Sequence, residues 1–225
     1  MGTAKIVGVF ILSVALLSVA LFFIFRYPAE KEGGEEVKGA LPTWSTGNQW
    51  IYKNSAGDNY TYTVSGEENY DDTPCYRLEG TISPPFENWG PNVRRLYEKA
   101  TLGLRSGTIY DSTRSQTSRY ARSYSVDPWP ISVGKTYAES VTFERRYLQG
   151  ADTWSDTITY RTLNVTIEAF ENVTVEAGTF ESFRIVTRDS TDNNLVESRW
   201  YSDTVKNVVK LVNHQTGETL ELSSY

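Results

Sequence analysis

The sequence predicts an all-β domain, a curved antiparallel sheet forming a half-barrel or a sandwich, preceded by one N-terminal transmembrane helix. Three observations carry that expectation. Residues 6–25 contain no charge. Beyond residue 40 the chain is dense in Thr, Tyr, Val, Ile and Trp, with apolar and polar residues alternating at the period of a strand. Beyond residue 30 only residues 93–100 show even a short helical spacing.

Within residues 6–25, 15 of the 20 side chains are Ile, Val, Leu or Phe. At about 1.5 Å per residue, a helix of this length matches a ~30 Å hydrocarbon core. At about −0.5 kcal/mol per large apolar residue, insertion is favoured by roughly 7 kcal/mol. A cleaved signal has a shorter apolar run ending in small residues. Ser18-Val19-Ala20 offers such a site, but the five apolar residues behind it, Leu21, Phe22, Phe23, Ile24 and Phe25, are wrong for a mature N-terminus. The run reads as an uncleaved signal-anchor over residues 6–26, after a tail of residues 1–5.

Lys5 on one side and Arg26, Lys31 and Lys38 on the other do not set orientation by positive charge alone. A very short tail ahead of an apolar run behaves as a signal, and a large following domain translocates largely regardless of charge. The expected topology is single-pass, with the C-terminal domain outside the cytoplasm. Residues 27–40, rich in Glu, Lys and Gly, read as a solvated linker.

Residues 41–225 are long enough to bury about 70% of their unfolded surface without covalent staples. Cys75, the only cysteine, opens an apolar alternation and reads as a buried thiol on a strand. Tyr60, Tyr62 and Val64 alternate with Thr61 and Thr63. Leu163, Val165, Ile167 and Ala169 alternate with Asn164, Thr166 and Glu168. Ile158 and Tyr160 are out of phase with that set, which predicts a bulge or bend near Arg161-Thr162. Turn residues recur at Ala56-Gly57-Asp58, Glu176-Ala177-Gly178, Asp192-Asn193-Asn194 and Thr216-Gly217-Glu218. The last of these, between residues 208–212 and 220–222, predicts a C-terminal hairpin.

An internal repeat of units 47–130 and 133–225 is also expected. Gly47-Asn48-Gln49-Trp50 matches Gly134-Lys135-Thr136-Tyr137, Tyr76-Arg77-Leu78 matches Phe183-Arg184-Ile185, and Arg95-Leu96-Tyr97 matches Arg199-Trp200-Tyr201, in the same order. Pro128-Trp129-Pro130 marks the junction. The stretch Glu171-Asn172-Val173-Thr174-Val175-Glu176-Ala177-Gly178-Thr179-Phe180, with Trp200-Tyr201 and Val208-Val209-Lys210, resembles the TapB-like family of exported or membrane-anchored bacterial and archaeal β proteins. The resemblance is best over residues 165–212. It implies a curved antiparallel sheet related to the half-barrel of lipoprotein carriers, and it transfers no catalytic residue. Asn207 stands where the family pattern has Gly.

Chemistry is sparse. His214 is the only histidine and sits beside a turn signal. A hydrolase triad needs a base held by a third group, and a zinc site needs three or four ligands; one His and one Cys supply neither. Carboxylates remain: Glu67, Glu68, Asp71 and Asp72 crowd one stretch, and Asp152 and Asp156 flank Trp154. These keep a carboxylate-dependent enzyme on cell-surface polysaccharide as the alternative reading. Asp189, Asp192 and Asn193 fit no EF-hand spacing and read as a hairpin tip. No cofactor is expected.

The favoured reading is a non-catalytic binding or envelope-structural module. Trp89 and Trp129 stand among prolines and could form a rigid binding rim. Trp50 and Trp200 lie in predicted strands and read as core. Arg119 and Arg122 belong to residues 91–122, which carry 7 basic against 2 acidic side chains within a chain of net charge −6. That local excess could face an anionic ligand or headgroup, though a solvated face pairing with acidic neighbours is the simpler reading. The expected partners are the membrane and a hydrophobic ligand, a glycan or an envelope protein. Nucleic acid is not expected of an acidic exported domain. Asn59, Asn164 and Asn172 head Asn-x-Thr sequons and are available to glycosylation in an exported chain.

The topology predicts that protease added to intact cells digests a tag on the C-terminus. A tag fully shielded until the cells are lysed would place the domain on the other side.

Overall fold

The computed structural model describes residues 36–86, 90–124, 127–149, 152–155 and 159–225. Residues 6–25, most of the linker, and Trp89 lie outside the described residues. The chain divides into Met1–Glu36 and Val37–Tyr225, and the fold is that of the second unit. Among the described residues there is no helix, and so none long and apolar enough to cross a membrane.

The strands follow the turn chemistry of the sequence. After the short β1 (Lys38–Gly39), hairpins connect β2 (Gln49–Asn54), β3 (Asn59–Tyr70), β4 (Thr73–Phe86), β5 (Gly90–Glu98), β6 (Leu104–Tyr110) and β7 (Arg114–Tyr124). Then come the short β8 (Ile131–Ser132), β9 (Thr136–Gln149), β10 (Asp152–Ser155), β11 (Thr159–Val175), β12 (Gly178–Asp189), β13 (Leu195–Ser202), β14 (Asn207–Asn213) and β15 (Thr219–Ser224). Gly57, Asn193 and Gly217 hold positive φ (90°, 60° and 76°) in the turns predicted around them. The expected C-terminal hairpin is β14–β15.

The expected half-barrel or sandwich is corrected to a closed barrel. Strand β15 returns to β2, and β7 pairs with β9 from Arg114 opposite Gln149 to Tyr120 opposite Phe143. Of the 13 strands in the sheet, β10 only folds back on the end of β9, which leaves a ring of 12. Alternation reports which face of a strand is buried; it cannot report that the first strand of one half pairs with the last strand of the other. Closure pairs the two outer strands of an otherwise open sheet with each other, β7 with β9.

Period-2 alternation becomes inside and outside. Tyr60, Tyr62 and Val64 are buried while Thr61 and Thr63 face outward, and Leu163, Val165 and Ile167 are buried while Asn164 and Thr166 face outward. This is the reverse of the apolar-out, polar-in pattern of a lipid-facing barrel.

Two local expectations are corrected. Residues 93–100 are not helical: β5 covers most of them, and Leu96, buried on the face opposite Val93 and Tyr97, places apolar residues at a helical spacing. The pairing of β11 with β9 runs unshifted through Arg161-Thr162, and the bulge falls between Ile167 and Ala169 instead.

Strands β2–β7 form one half of the ring, and β9 with β11–β15 the other. Gly47 (φ 94°) donates its N–H to the Val64 carbonyl at 2.9 Å before β2, and Gly134 (φ 91°) donates to the Ile167 carbonyl at 2.8 Å before β9. The fourth strands, β5 and β13, carry Arg95-Leu96-Tyr97 and Arg199-Trp200-Tyr201, with bulges at the same point of each motif. Left-handed Leu102 (φ 55°) and Lys206 (φ 58°) end the turns that follow. The three sequence matches thus fall on the first, third and fourth strands of each half.

Because β2 and β9 are six antiparallel steps apart, they run the same way, and the segments before them reach the same end of the barrel. That end is plugged from both sides. Trp44 packs on Trp50, Tyr76 and Tyr97 at 5.1, 5.4 and 5.5 Å between ring centroids, and its indole donates to the Lys206 carbonyl at 2.8 Å. Ile131, on the β1–β8 pair, is fully buried against Val165, Ile167, Phe183 and Ile185.

Two glycines give opposite expectations. A Cβ on Gly80 in β4 would lie 1.8 Å from the Thr61 carbonyl oxygen, whereas one on Gly107 in β6 meets nothing closer than a Leu104 methyl at 4.0 Å. Urea unfolding is expected to show Gly80→Ala destabilising by about 1–3 kcal/mol and Gly107→Ala changing stability by less than about 0.5 kcal/mol. Equal losses for the two would contradict the packing.

Candidate functional site

A ring of about eight strands is filled by its own side chains; wider rings enclose space. This barrel encloses a cavity of about 460 Å³, within the range of small-molecule sites. Tyr62, Tyr97, Tyr120 and Tyr124 supply its aromatic wall, with Val93 and Ile109 among its aliphatic members, and Trp44 and Trp129 at the plugged end. The residues reach the interior by simple periodicity: Val93, Arg95 and Tyr97 alternate on β5. Tyr120 meets Tyr124 through an irregularity instead. The register of β6 on β7 jumps between Arg119 and Tyr124, and the two rings stack at 5.2 Å and 11°.

The cavity carries charge on two opposite walls. On β13, Arg199 donates to Asp127 Oδ1 at 2.5 Å and to Glu197 Oε1 at 2.9 Å, with its side chain only 7% exposed. Burial pulls this guanidinium down, but Asp127 and Glu197 outweigh it and hold Arg199 well above its ordinary value. On β5, six strands away, Arg95 lies over the Tyr62 ring at 4.7 Å and donates from Nη1 to the Tyr97 hydroxyl at 3.4 Å, a long bond. Its perturbing neighbours are burial, which lowers it, and Tyr62, Tyr97 and Tyr120, which raise it further; no carboxylate is among them.

Arg95 is deep in the fold, yet half-exposed by surface; both hold, because the surface it keeps faces the cavity. Burial lifts Tyr52, Tyr62 and Tyr120 above the ordinary phenol value, with Arg95 pulling each of them back. These hydroxyls are neutral donors at physiological pH.

The residues singled out in the sequence fall in different places. Trp129 turns inward: its ring meets Tyr201 edge-on at 5.1 Å, its indole donates to the Thr101 carbonyl at 3.0 Å, and it lines the cavity. Arg119 and Arg122 are exposed on β7 and do not line it. Trp89 lies outside the described residues. Asn59 and Asn172 are exposed and Asn164 is half-buried. Trp50 is core; Trp200 is half-buried and donates to Glu171 Oε1 at 2.7 Å.

Cys75 is fully buried on β4, and burial pushes its thiol up. His214 sits in the β14–β15 turn and bonds Ser198 Oγ at 3.0 Å. Asp192 caps a hairpin tip through the Asn194 amide. Of the crowded carboxylates, Glu68 pairs with Arg94 and Arg77, and Glu67 with Lys99. Asp156 and the side chain of Asp152 lie outside what is described.

Arg95, Tyr62, Tyr97, Asp127 and Arg199 were not singled out as functional. One signal pointed to the arginines: each lies in phase with buried neighbours on its strand, and each opens a matched motif. Comparison of the chain with protein-family models, with curated proteins and with solved structures finds no match in any of the three.

Removing one partner of a buried pair leaves the other charge uncompensated. Asp127→Ala is expected to cost about 3–5 kcal/mol in urea unfolding. The double replacement Asp127→Leu with Arg199→Met is expected to cost less than the single change, and the reverse order would mean that the pair is not desolvated.

Proposed function

We propose that this chain is a membrane-anchored, extracytoplasmic binding module that holds a small hydrophobic or amphipathic molecule inside its barrel. The observation that carries the reading is the aromatic-walled cavity of about 460 Å³ at the centre of a closed ring. A barrel with a polar exterior and an interior that its side chains leave partly empty has the form of a small-molecule carrier. The uncharged run at residues 6–25 is the element that would tether it to a bilayer. Kinship with the TapB-like family and an origin by duplication of a six-stranded unit belong to the same proposal. They rest on the motifs shared with that family and on the matched motifs of the two halves.

The enzyme reading is less favoured. A glycosidase requires two carboxylates facing across open space. Asp127 and Glu197 are instead taken up by one guanidinium, and Glu218 accepts from the Tyr60 hydroxyl at 2.7 Å.

Uptake of the fluorescent hydrophobe N-phenyl-1-naphthylamine by the full-length protein tests the proposal, with Gly107→Trp as the blocked variant, since position 107 opens into the cavity. The wild type is expected to bind the probe, and the variant to keep its fold while losing at least about tenfold in affinity. Absence of binding to the wild type, or equal binding to both, would overturn it.

A further inference from the structure

We infer that the cavity is an anion receptor: its ligand carries a carboxylate on an apolar, ring-sized body, and Arg95 is the residue that meets the carboxylate. The inference rests on the proposal that the cavity holds a ligand, and it names the chemical class of that ligand.

The two halves of the barrel supply their own comparison. Arg95 and Arg199 occupy the same place in the same motif, on the fourth strand of each half, beside the same bulge. Arg199 has two carboxylates, one from Glu197 two residues earlier on its own strand and one from Asp127. The position equivalent to Glu197 in the first half, 104 residues earlier, is Val93. Among the described residues no carboxylate is paired with Arg95, whose single hydrogen bond is the long one to Tyr97. The fold thus neutralises this arginine on one wall and leaves it open on the other.

A guanidinium carries five donors, and a desolvated cation lacking an anion is costly. The Tyr62 ring beneath Arg95 offsets part of that cost but accepts none of those donors in its plane. The guanidinium is planar and matches the two oxygens of a carboxylate side by side. Around it stand the hydroxyls of Tyr97 and Tyr120, able to donate to the same anion. Arg145 acts on Tyr120 as a second cation from that side. Glu218 acts on Tyr62, but it is already engaged by Tyr60. The rest of the lining near Arg95 is uncharged: Val93, Leu104, Ile109 and the tyrosine rings supply its apolar surface, with Thr108, Gln116 and Ser118 as neutral polar members. That pattern suits an amphiphile whose body is buried and whose head is charged, rather than a free inorganic anion.

Calorimetry on the full-length protein with 2-naphthoate, the neutral 2-naphthamide of the same shape, and inorganic phosphate tests this. Naphthoate is expected to bind at least tenfold more tightly than naphthamide, and phosphate not measurably. Arg95→Met is expected to abolish the preference while naphthamide binding persists. Arg95→Lys, which keeps the charge but not the fork, is expected to retain part of it and guards against a folding failure in the methionine variant. Equal binding of naphthoate and naphthamide, or a preference that survives in both variants, would overturn the anion site and leave the cavity reading standing; phosphate binding as tight as naphthoate would overturn the apolar-bodied ligand class. Failure of both naphthyl compounds together with N-phenyl-1-naphthylamine would remove the cavity reading as well.

Discussion

The pairing of β7 with β9 is the contact on which the interior depends. It joins residues 114–120 to residues 143–149, one strand from each half, and converts one open sheet, already continuous through β15 and β2, into a ring. Without it the sheet keeps two open edges, and the tyrosines that line the cavity face solvent on one side. A ring of 12 strands is wider than its own side chains fill, so closure creates both the core and the unoccupied space within it. The plug of Trp44, Trp50 and Ile131 then closes one end, leaving the cavity where the two arginine-bearing walls face each other.

The interior places unlike environments around like residues. Arg199 is held by two carboxylates in a desolvated triad, an arrangement that orders the wall at the cost of desolvating three charges. Arg95 stands on aromatic faces with its donors largely unspent. The acidic side chains crowded at residues 67–72 carry no comparable feature. Glu67 and Glu68 are tied to surface cations, and such exposed pairs contribute little to stability.

Much of the barrel wall was legible. Alternation at Tyr60, Tyr62 and Val64 and at Leu163, Val165 and Ile167 put the right side chains inward, because a strand has only two faces. Turn residues at Gly57, Asn193 and Gly217 marked real reversals, because positive φ is nearly confined to such residues. The reading failed in two places: Leu96, buried on the face opposite Val93 and Tyr97, imitated a helical spacing, and the bulge at Ile167/Ala169 lay several residues from where a phase slip was expected. The candidate site was less legible. Trp129 was singled out and does line the cavity, but as part of its floor. Arg119 and Arg122 drew attention as charges, yet they sit outside, while Arg95 from the same basic stretch points inward.

By itself the sequence determined an all-β domain of aromatic-rich amphipathic strands with turns at known places, since those follow from local sterics and a two-residue period. Only the tertiary structure decided that the sheet closes, how wide the ring is, and which of two matched arginines is left without an anion. Those outcomes depend on pairings between segments far apart in the chain, and no local pattern of residue types carries that information.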